Sequence, residues 1–310
     1  FLYYKEAKNG QILEEGLTEA GSMSSFIAAA TSYSSHNKTM VPFYIFYSMF
    51  GFQRVWDFIW AASDMRARGF LIGGTAGRTT LNGEGLQHQD GHSHIAAACT
   101  PNIKSYDLAY SYELAVVIQA GLKEMYKDNI DIIYYLTVEN ENYKHPKMKK
   151  GIEKDIIKGM YQIKSANEPI VRILGSGPIL NEAIEASRLL KEDWSIDTSL
   201  WNVTSFNELR RDAESTDRFN LLADKKKYKK SYIQQCFKRN NIPTIAVSDY
   251  VKMHAEQISK HLSSPYYALG TDGFGRSDTR ENLRSFFEID RYYITLYSVV
   301  ALVKQKKIKN

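Results

Sequence analysis

A chain of 310 residues, 44% hydrophobic and 13% aromatic with 21 tyrosines, can bury a full core, which excludes a disordered segment. Its net charge of +5 is modest and concentrated in Lys225 to Lys230 and in the tail Lys304 to Lys309; such runs fit a nucleic-acid patch, but we read them as a solvated loop and a charged end, with no nucleic-acid partner. No apolar run reaches the roughly 20 residues of a bilayer span, so no membrane contact is expected.

Taken in order, Glu15 to Tyr33 sets Leu17, Ala20, Met23, Ile27, Ala28 and Ala30 close to one helical face, with Glu19 in the first turn. A carboxylate there is ordinary, because helix N-termini favour negative charge. Val41 to Phe46 is a β-rich apolar run. Tyr47 to Phe50 then turn into a helix whose Val55, Phe58, Ile59, Ala62 and Met65 are spaced to face a sheet. Tyr47 and Phe50 are either core or a stacking surface where the strand ends.

Gly69 to His94 is the stretch richest in chemistry. Phe70 to Ile72 reads as a buried strand, and the glycines after it permit backbone conformations closed to other residues. The loop then delivers Glu84, His88, Asp90, His92 and His94, including three of the chain's seven histidines. Histidine trades protons or binds metal near neutral pH. Two readings stand: backbone hydrogen bonding, or a zinc-type site drawn from His88, Asp90, His92 and His94. Gly91 interrupts any helix that would align His88 with His92, and no cysteine pair supports a structural metal.

Tyr112 to Lys127 is an amphipathic helix through Leu114, Val117, Ile118, Leu122 and Met125, and Ile130 to Val138 a further strand. Helix and strand alternating in this way imply a largely parallel α/β sheet. Glu139 to Lys150, polar and containing Pro146, reads as a linker. From Gly151 the alternation restarts, with strands at Ile170 to Leu174, Thr198 to Val203 and Thr244 to Ser248 and a helix over Asn181 to Glu192. Gly270 to Arg276 is a second glycine-rich loop before a helix at Glu281 to Phe287; such loops cradle phosphate or simply turn, and this spacing matches no nucleotide fingerprint. The two distant cysteines, Cys99 and Cys236, suggest a reducing compartment. A start at Phe1 rather than Met suggests a fragment.

Three segments carry a family resemblance: MVPFYIFYSMFGFQR (Met40 to Arg54), ARGFLIGGTAGRTTLNGEGLQHQDGHSH (Ala67 to His94) and GTDGFGRSDTRENLR (Gly270 to Arg284). Together they resemble the thiamine diphosphate-dependent, decarboxylating first component of the pyruvate dehydrogenase complex, of the homodimeric bacterial type. The resemblance runs from Tyr3 to about Lys304. It implies a transketolase-like α/β fold, with a partial pyrimidine-binding middle domain over 1–148 and a C-terminal domain over 149–310. It further implies that Glu19 bonds the cofactor's aminopyrimidine ring, that Phe50 stacks on that ring, and that Tyr47, Arg54 and His88 line the cofactor and substrate pocket. Glu19, His88 and Tyr47 are then the candidate catalytic residues, and Glu19, Phe50 and Arg54 the cofactor-binding ones. A carboxylate on N1′ would help the cofactor shed its C2 proton, and a nearby histidine would assist the adduct. The implied substrate is pyruvate, the implied partner the lipoyl domain of the dihydrolipoyl acetyltransferase, and the implied setting a homodimer in a bacterial cytoplasm.

The sequence also departs from the family. Gln89 stands where the family usually has Glu, so one carboxylate beside His88 is missing and the proton affinity of His88 is expected to be lower. Leu17 replaces the usual Ile, a volume-conserving change. The GDG and Asn motif that binds the diphosphate and Mg2+ is absent, since Gly270 to Gly273 reads GTDG; its ligands are expected in a domain upstream, and the fragment alone is expected to be inactive. A noncatalytic module that keeps the fold without the reaction is the rival reading, and retention of Glu19, Phe50 and His88 together favours the enzyme.

Overall fold

The computed structural model describes residues 5–237 and 241–308, so Lys309 of the basic tail lies outside the described residues. The first sheet contains β1 (Phe43–Tyr47), β2 (Gly69–Gly74), β3 (Ile103–Asp107) and β4 (Ile133–Thr137), in the spatial order β1-β2-β4-β3 and parallel throughout. The two central strands are continuously apolar because helices cover both faces: Phe70 and Leu71 on β2 and Tyr134 and Tyr135 on β4 are fully buried. At the edge, β1 alternates instead, with Phe43, Ile45 and Tyr47 exposed and Phe46 inside.

The helices of this half are α1 (Glu19–Ala30), α2 (Ser32–Ser35), α3 (Ser48–Asp64), α4 (Ser93–Cys99) and α5 (Ser111–Leu122). The expected start of α1 at Glu15 is corrected by its cap. The Thr18 Oγ1 accepts the Gly21 N–H at 3.2 Å, so the helix opens at Glu19 and Leu17, before the cap, is fully exposed. The buried stripe of α3 is narrower than expected. Val55, Ile59 and Ala62 point inward, whereas Phe58 and Met65 are exposed, beyond a kink at Val55 with φ −127°. Past Leu122 the chain widens into a π-helical turn, Lys123–Lys127, that keeps Met125 buried.

The second half contains α6 (Glu153–Lys158), β5 (Met160–Ser165), β6 (Val171–Gly175), α7 (Leu180–Trp194), β7 (Thr198–Val203), α8 (Phe206–Leu222), α9 (Tyr232–Cys236), β8 (Thr244–Val247), α10 (Lys252–Glu256), β9 (Tyr266–Leu269), α11 (Arg280–Phe286) and α12 (Arg291–Lys304). Its sheet runs β5-β7-β6-β8-β9, with β5 antiparallel to β7 and the remaining pairs parallel. Ile173, Leu190, Ile245 and Leu302 form the core on one face, and Leu174, Phe206, Leu209 and Ala246 the core on the other. Lys225–Lys227 is a single exposed 3-10 turn. Among the described residues no helix is long and apolar enough to cross a membrane.

Polar contacts join the halves. The Asp107 N–H donates to Thr204 O at 2.9 Å, and Ser176 Oγ donates to the Asp107 carboxylate at 2.6 Å. Ser205 Oγ donates to Ser105 O at 2.6 Å, and the Asn207 amide to His94 O at 3.0 Å. Glu113, at the start of α5, accepts from Ala109 N–H, Tyr110 N–H, Tyr161 Oη and the Asn202 amide. Burial outweighs these donors and pushes its carboxyl up to about 7.

Candidate functional site

In a parallel α/β sheet, ligands gather where strands end and helices begin. Tyr47 closes β1, and Phe50 and Arg54 follow at helical spacing in the first two turns of α3. Gly51 lets this turn close, because a Cβ there would overlap the Phe46 ring. Glu19 arrives from α1 with its carboxylate 2.7 Å from Arg54 Nη1, and the guanidinium lies 4.0 Å above the Phe50 ring centroid. Tyr47 and Phe50 stand 6.0 Å apart, and the His88 imidazole lies 5.8 Å from Tyr47 and 5.4 Å from Phe50. All five residues singled out in the sequence therefore meet in one partly open patch.

His88 reaches the patch on the long loop after β2, and the second half of the chain holds that loop. Asp249, at the end of β8, accepts the backbone N–H and hydroxyl of both Thr79 and Thr80 at 2.6 to 2.9 Å. Arg78 donates to Thr271 O and Gly273 O in the loop after β9. Arg280 Nε donates to Thr80 O at 2.8 Å. Neither Arg78 nor Asp249 was singled out in the sequence. The legible signal was position: Asp249 follows directly on a strand's carboxyl end.

The zinc-type reading of this loop loses its ligands. The Asp90 carboxylate caps α4 by accepting the His92 N–H at 2.9 Å and the Ser93 N–H at 3.0 Å. His94 Nε2 is bound to Thr137 Oγ1 at 3.1 Å inside the core. Among the described residues no group of three or more His, Cys, Asp or Glu is placed to hold a metal ion. The Gln89 amide is bonded to Leu81 O and to the Arg276 N–H, and the Glu84 carboxylate lies 3.7 Å from His88 Nδ1.

Electrostatics separates the histidines. Burial, and then His254 with its ring 5.0 Å away, hold His94 well below its usual value, and burial brings His254 down to about 3. Both are neutral core residues near pH 7, whereas the His88 side chain is 26% exposed and stands beside the aromatic pair. A second concentration of polar groups lies over the ends of β3 and β4. There a cavity of about 410 Å³ is walled by Tyr110, Tyr143, His145 and Glu139. The expected linker thus contributes to a wall. Burial and the neighbouring Asp107 hold Glu139 well above the usual carboxylate range. An aromatic pair flanked by a carboxylate, a guanidinium and an imidazole can stack a flat heterocycle and exchange protons with it.

Comparison with known proteins fits this arrangement. Residues 1–146 match the family described as pyruvate dehydrogenase E1 component middle domain, and residues 159–290 match the transketolase-like C-terminal domain. Over 99% of its length the chain is 55% identical to the pyruvate dehydrogenase E1 components of Cupriavidus necator and Pseudomonas aeruginosa, and 49% identical to that of Escherichia coli K12. It spans 35% of the length of each of these relatives. The fold matches the transketolase of Campylobacter jejuni with a TM-score of 0.67 at 17% identity, covering 88% of this chain and 38% of that one. A split-gene transketolase in an inactive β4 tetramer matches with a TM-score of 0.61 at 14% identity, covering 90% of this chain and 81% of that one. By sequence the chain carries the middle domain of the pyruvate dehydrogenase E1 components followed by a transketolase-like C-terminal domain, and its fold is that of the transketolases.

Proposed function

We propose that the chain is the pyrimidine-binding and C-terminal part of a thiamine diphosphate-dependent pyruvate dehydrogenase. The complete protein decarboxylates pyruvate and passes the acetyl group to the lipoyl group of a partner dihydrolipoyl acetyltransferase. It works as a homodimer in a bacterial cytoplasm, with the diphosphate and Mg2+ held by an upstream domain. The boundary between the two domains of this chain falls at 148/149, within the stretch that lacks regular structure.

The observation that carries this reading is the meeting of Glu19, Tyr47, Phe50, Arg54 and His88, drawn from separate segments of the chain. The patch fits an aminopyrimidine: it has a partly exposed aromatic surface, a carboxylate acceptor, and an imidazole set beside the aromatic pair. When bound, thiamine diphosphate supplies a nucleophilic carbon and an electron sink. Phe50 would stack the aminopyrimidine ring, and Glu19, its carboxylate oriented by Arg54, would hold and exchange a proton with a ring nitrogen. His88, set against Tyr47 and steadied by Glu84, donates a proton or hydrogen bond to the substrate's oxygen.

The test is expression of the complete reading frame. The full protein should decarboxylate pyruvate in the presence of cofactor and Mg2+, and the 310-residue chain alone should show no tight cofactor binding by calorimetry. A complete protein with an intact upstream domain and no action on pyruvate would refute the reading.

A further inference from the structure

We infer that the loop between α8 and α9 is a docking surface for an acidic polypeptide segment that carries apolar side chains among its carboxylates. Residues 218–230 hold six cationic side chains, Arg218 and five lysines, against the single carboxylate of Asp224, a net +5 that equals the net charge of the whole chain. The rest of the molecule is balanced, so its positive excess is gathered at this loop. The carboxylates of α8 do not neutralise it. Glu208 pairs with Arg211 and Glu214 with Arg210 and Lys260, Asp217 lies 2.8 Å from His261 Nδ1, and Asp212 accepts the Tyr232 N–H at 2.5 Å. On α6, Asp155 and Lys158 both face Tyr232 and Cys236, one charge of each sign.

The loop has a fixed shape. The Asn220 amide donates to Lys229 O and its Oδ1 accepts the Lys229 N–H, both at 2.8 Å, so one side chain closes the loop at its base. Lys229 Nζ lies 4.1 Å from the Phe219 ring centroid, and Lys225–Lys227 form the turn at the tip. A merely solvated charge run has no use for apolar neighbours, yet Leu221 and Leu222 are 83% and 75% exposed beside this one. Successive helix positions diverge by about 100°, so a partner that touches both leucines bends around the end of α8. A polypeptide does this and a flat bilayer does not. A nucleic acid would find phosphate contacts here, but it gains nothing from leucines, and of the two rings Phe219 is already taken by Lys229. Lysines beside leucines match carboxylates interleaved with apolar anchors on a protein chain.

The test measures fluorescence anisotropy of two labelled peptides with the complete protein, one built of repeated Glu-Glu-Leu-Glu units and one of Glu alone. The first should bind more tightly, and its affinity should fall by at least about 10-fold between about 0.1 M and about 1 M salt, as the screening length drops from about 10 to about 3 Å. Lys225→Glu, Lys226→Glu and Lys227→Glu together should weaken both peptides by at least about 10-fold. Leu221→Ser with Leu222→Ser should weaken the leucine-containing peptide by about 10-fold and leave the all-Glu peptide unchanged. These side chains are exposed, so urea unfolding of each variant should match wild type. No binding by the complete protein, binding that survives the lysine reversal, or binding indifferent to the serines would overturn the inference. An equal loss on reversing Lys304, Lys306 and Lys307 would do so too, by making the effect one of overall charge. Tighter binding to vesicles of anionic phospholipid or to single-stranded DNA, abolished by the same lysine variant, would give the loop to a membrane or a nucleic acid instead.

Discussion

Glu19→Gln separates folding from chemistry. The change keeps the size and a hydrogen-bonding head but removes the charge at the first residue of α1. Glu19 is 26% and Arg54 52% exposed, so water screens their 2.7 Å ion pair, and pairs of this kind contribute about 0–1 kcal/mol. Loss of a carboxylate at a helix N-terminus adds about 0.3–1 kcal/mol. Urea unfolding of the variant should therefore show a loss of roughly 1 kcal/mol. The expected effect on the reaction is larger. A positioned acid or base contributes about 10²- to 10⁴-fold, or about 2.7–5.4 kcal/mol in the barrier. In the complete protein, exchange of the cofactor's C2 proton and turnover of pyruvate should fall together by that factor. Cofactor affinity should fall much less, since the proposed function assigns the diphosphate to an upstream domain. The deciding measurement is quenched-flow NMR of C2 hydrogen–deuterium exchange, and exchange at the wild-type rate would refute the role given to Glu19.

Three further outcomes are expected. His88→Ala in the complete protein should slow decarboxylation by roughly 10²-fold with little change in cofactor affinity, and equal losses of both would make the histidine structural. Asp249→Ala strands two buried backbone N–H groups, each costing about 1–3 kcal/mol, so urea unfolding should show a loss of at least about 2 kcal/mol, and a change under about 0.5 would contradict the anchoring of the His88 loop. For Glu113 the folded value of about 7 lies above the unfolded one, so the folded chain holds the proton that the unfolded chain has already released. Its contribution to stability is full below about pH 4.3 and declines until about pH 7. The stability difference between wild type and Glu113→Gln should shrink accordingly across that window in urea titrations, and a constant difference would place the proton elsewhere.

The sequence was most legible where burial imposes a simple period. Phe70 to Ile72 is the heart of β2, Val117 and Met125 lie where the helical spacing put them, and Thr198 to Val203 is β7 itself. β3 escaped notice because Ser105 and Asp107 face polar partners across the junction of the two halves and Lys104 pairs with Glu124 in its own half, so the strand carries no apolar run. β5 and α12 were missed for want of a clean stripe, since tyrosines and polar residues interrupt the buried positions. At the site, the spacing of Tyr47, Phe50 and Arg54 was readable as strand end and helix start. The contact of Arg54 with Glu19, 35 residues away, was readable only through the family resemblance. The direction of Gln89 was not readable at all, because neighbouring loop residues face opposite ways and its partner Arg276 is 187 positions off.

The junction between the halves has a consequence for how the chain would respond to a cut. Lys144 to Lys147 are exposed and lie in the stretch without helix or strand, which makes them the natural point of entry for a protease. Yet the pieces on either side would still share the bonds of Asp107, Asn207, Asp249 and Glu113, most of them sealed from water. A nick there would open the covalent chain without releasing either piece. The two fragments would travel together through a sizing column and part only in denaturant, so this protein could be made as two separately synthesised polypeptides that reassemble.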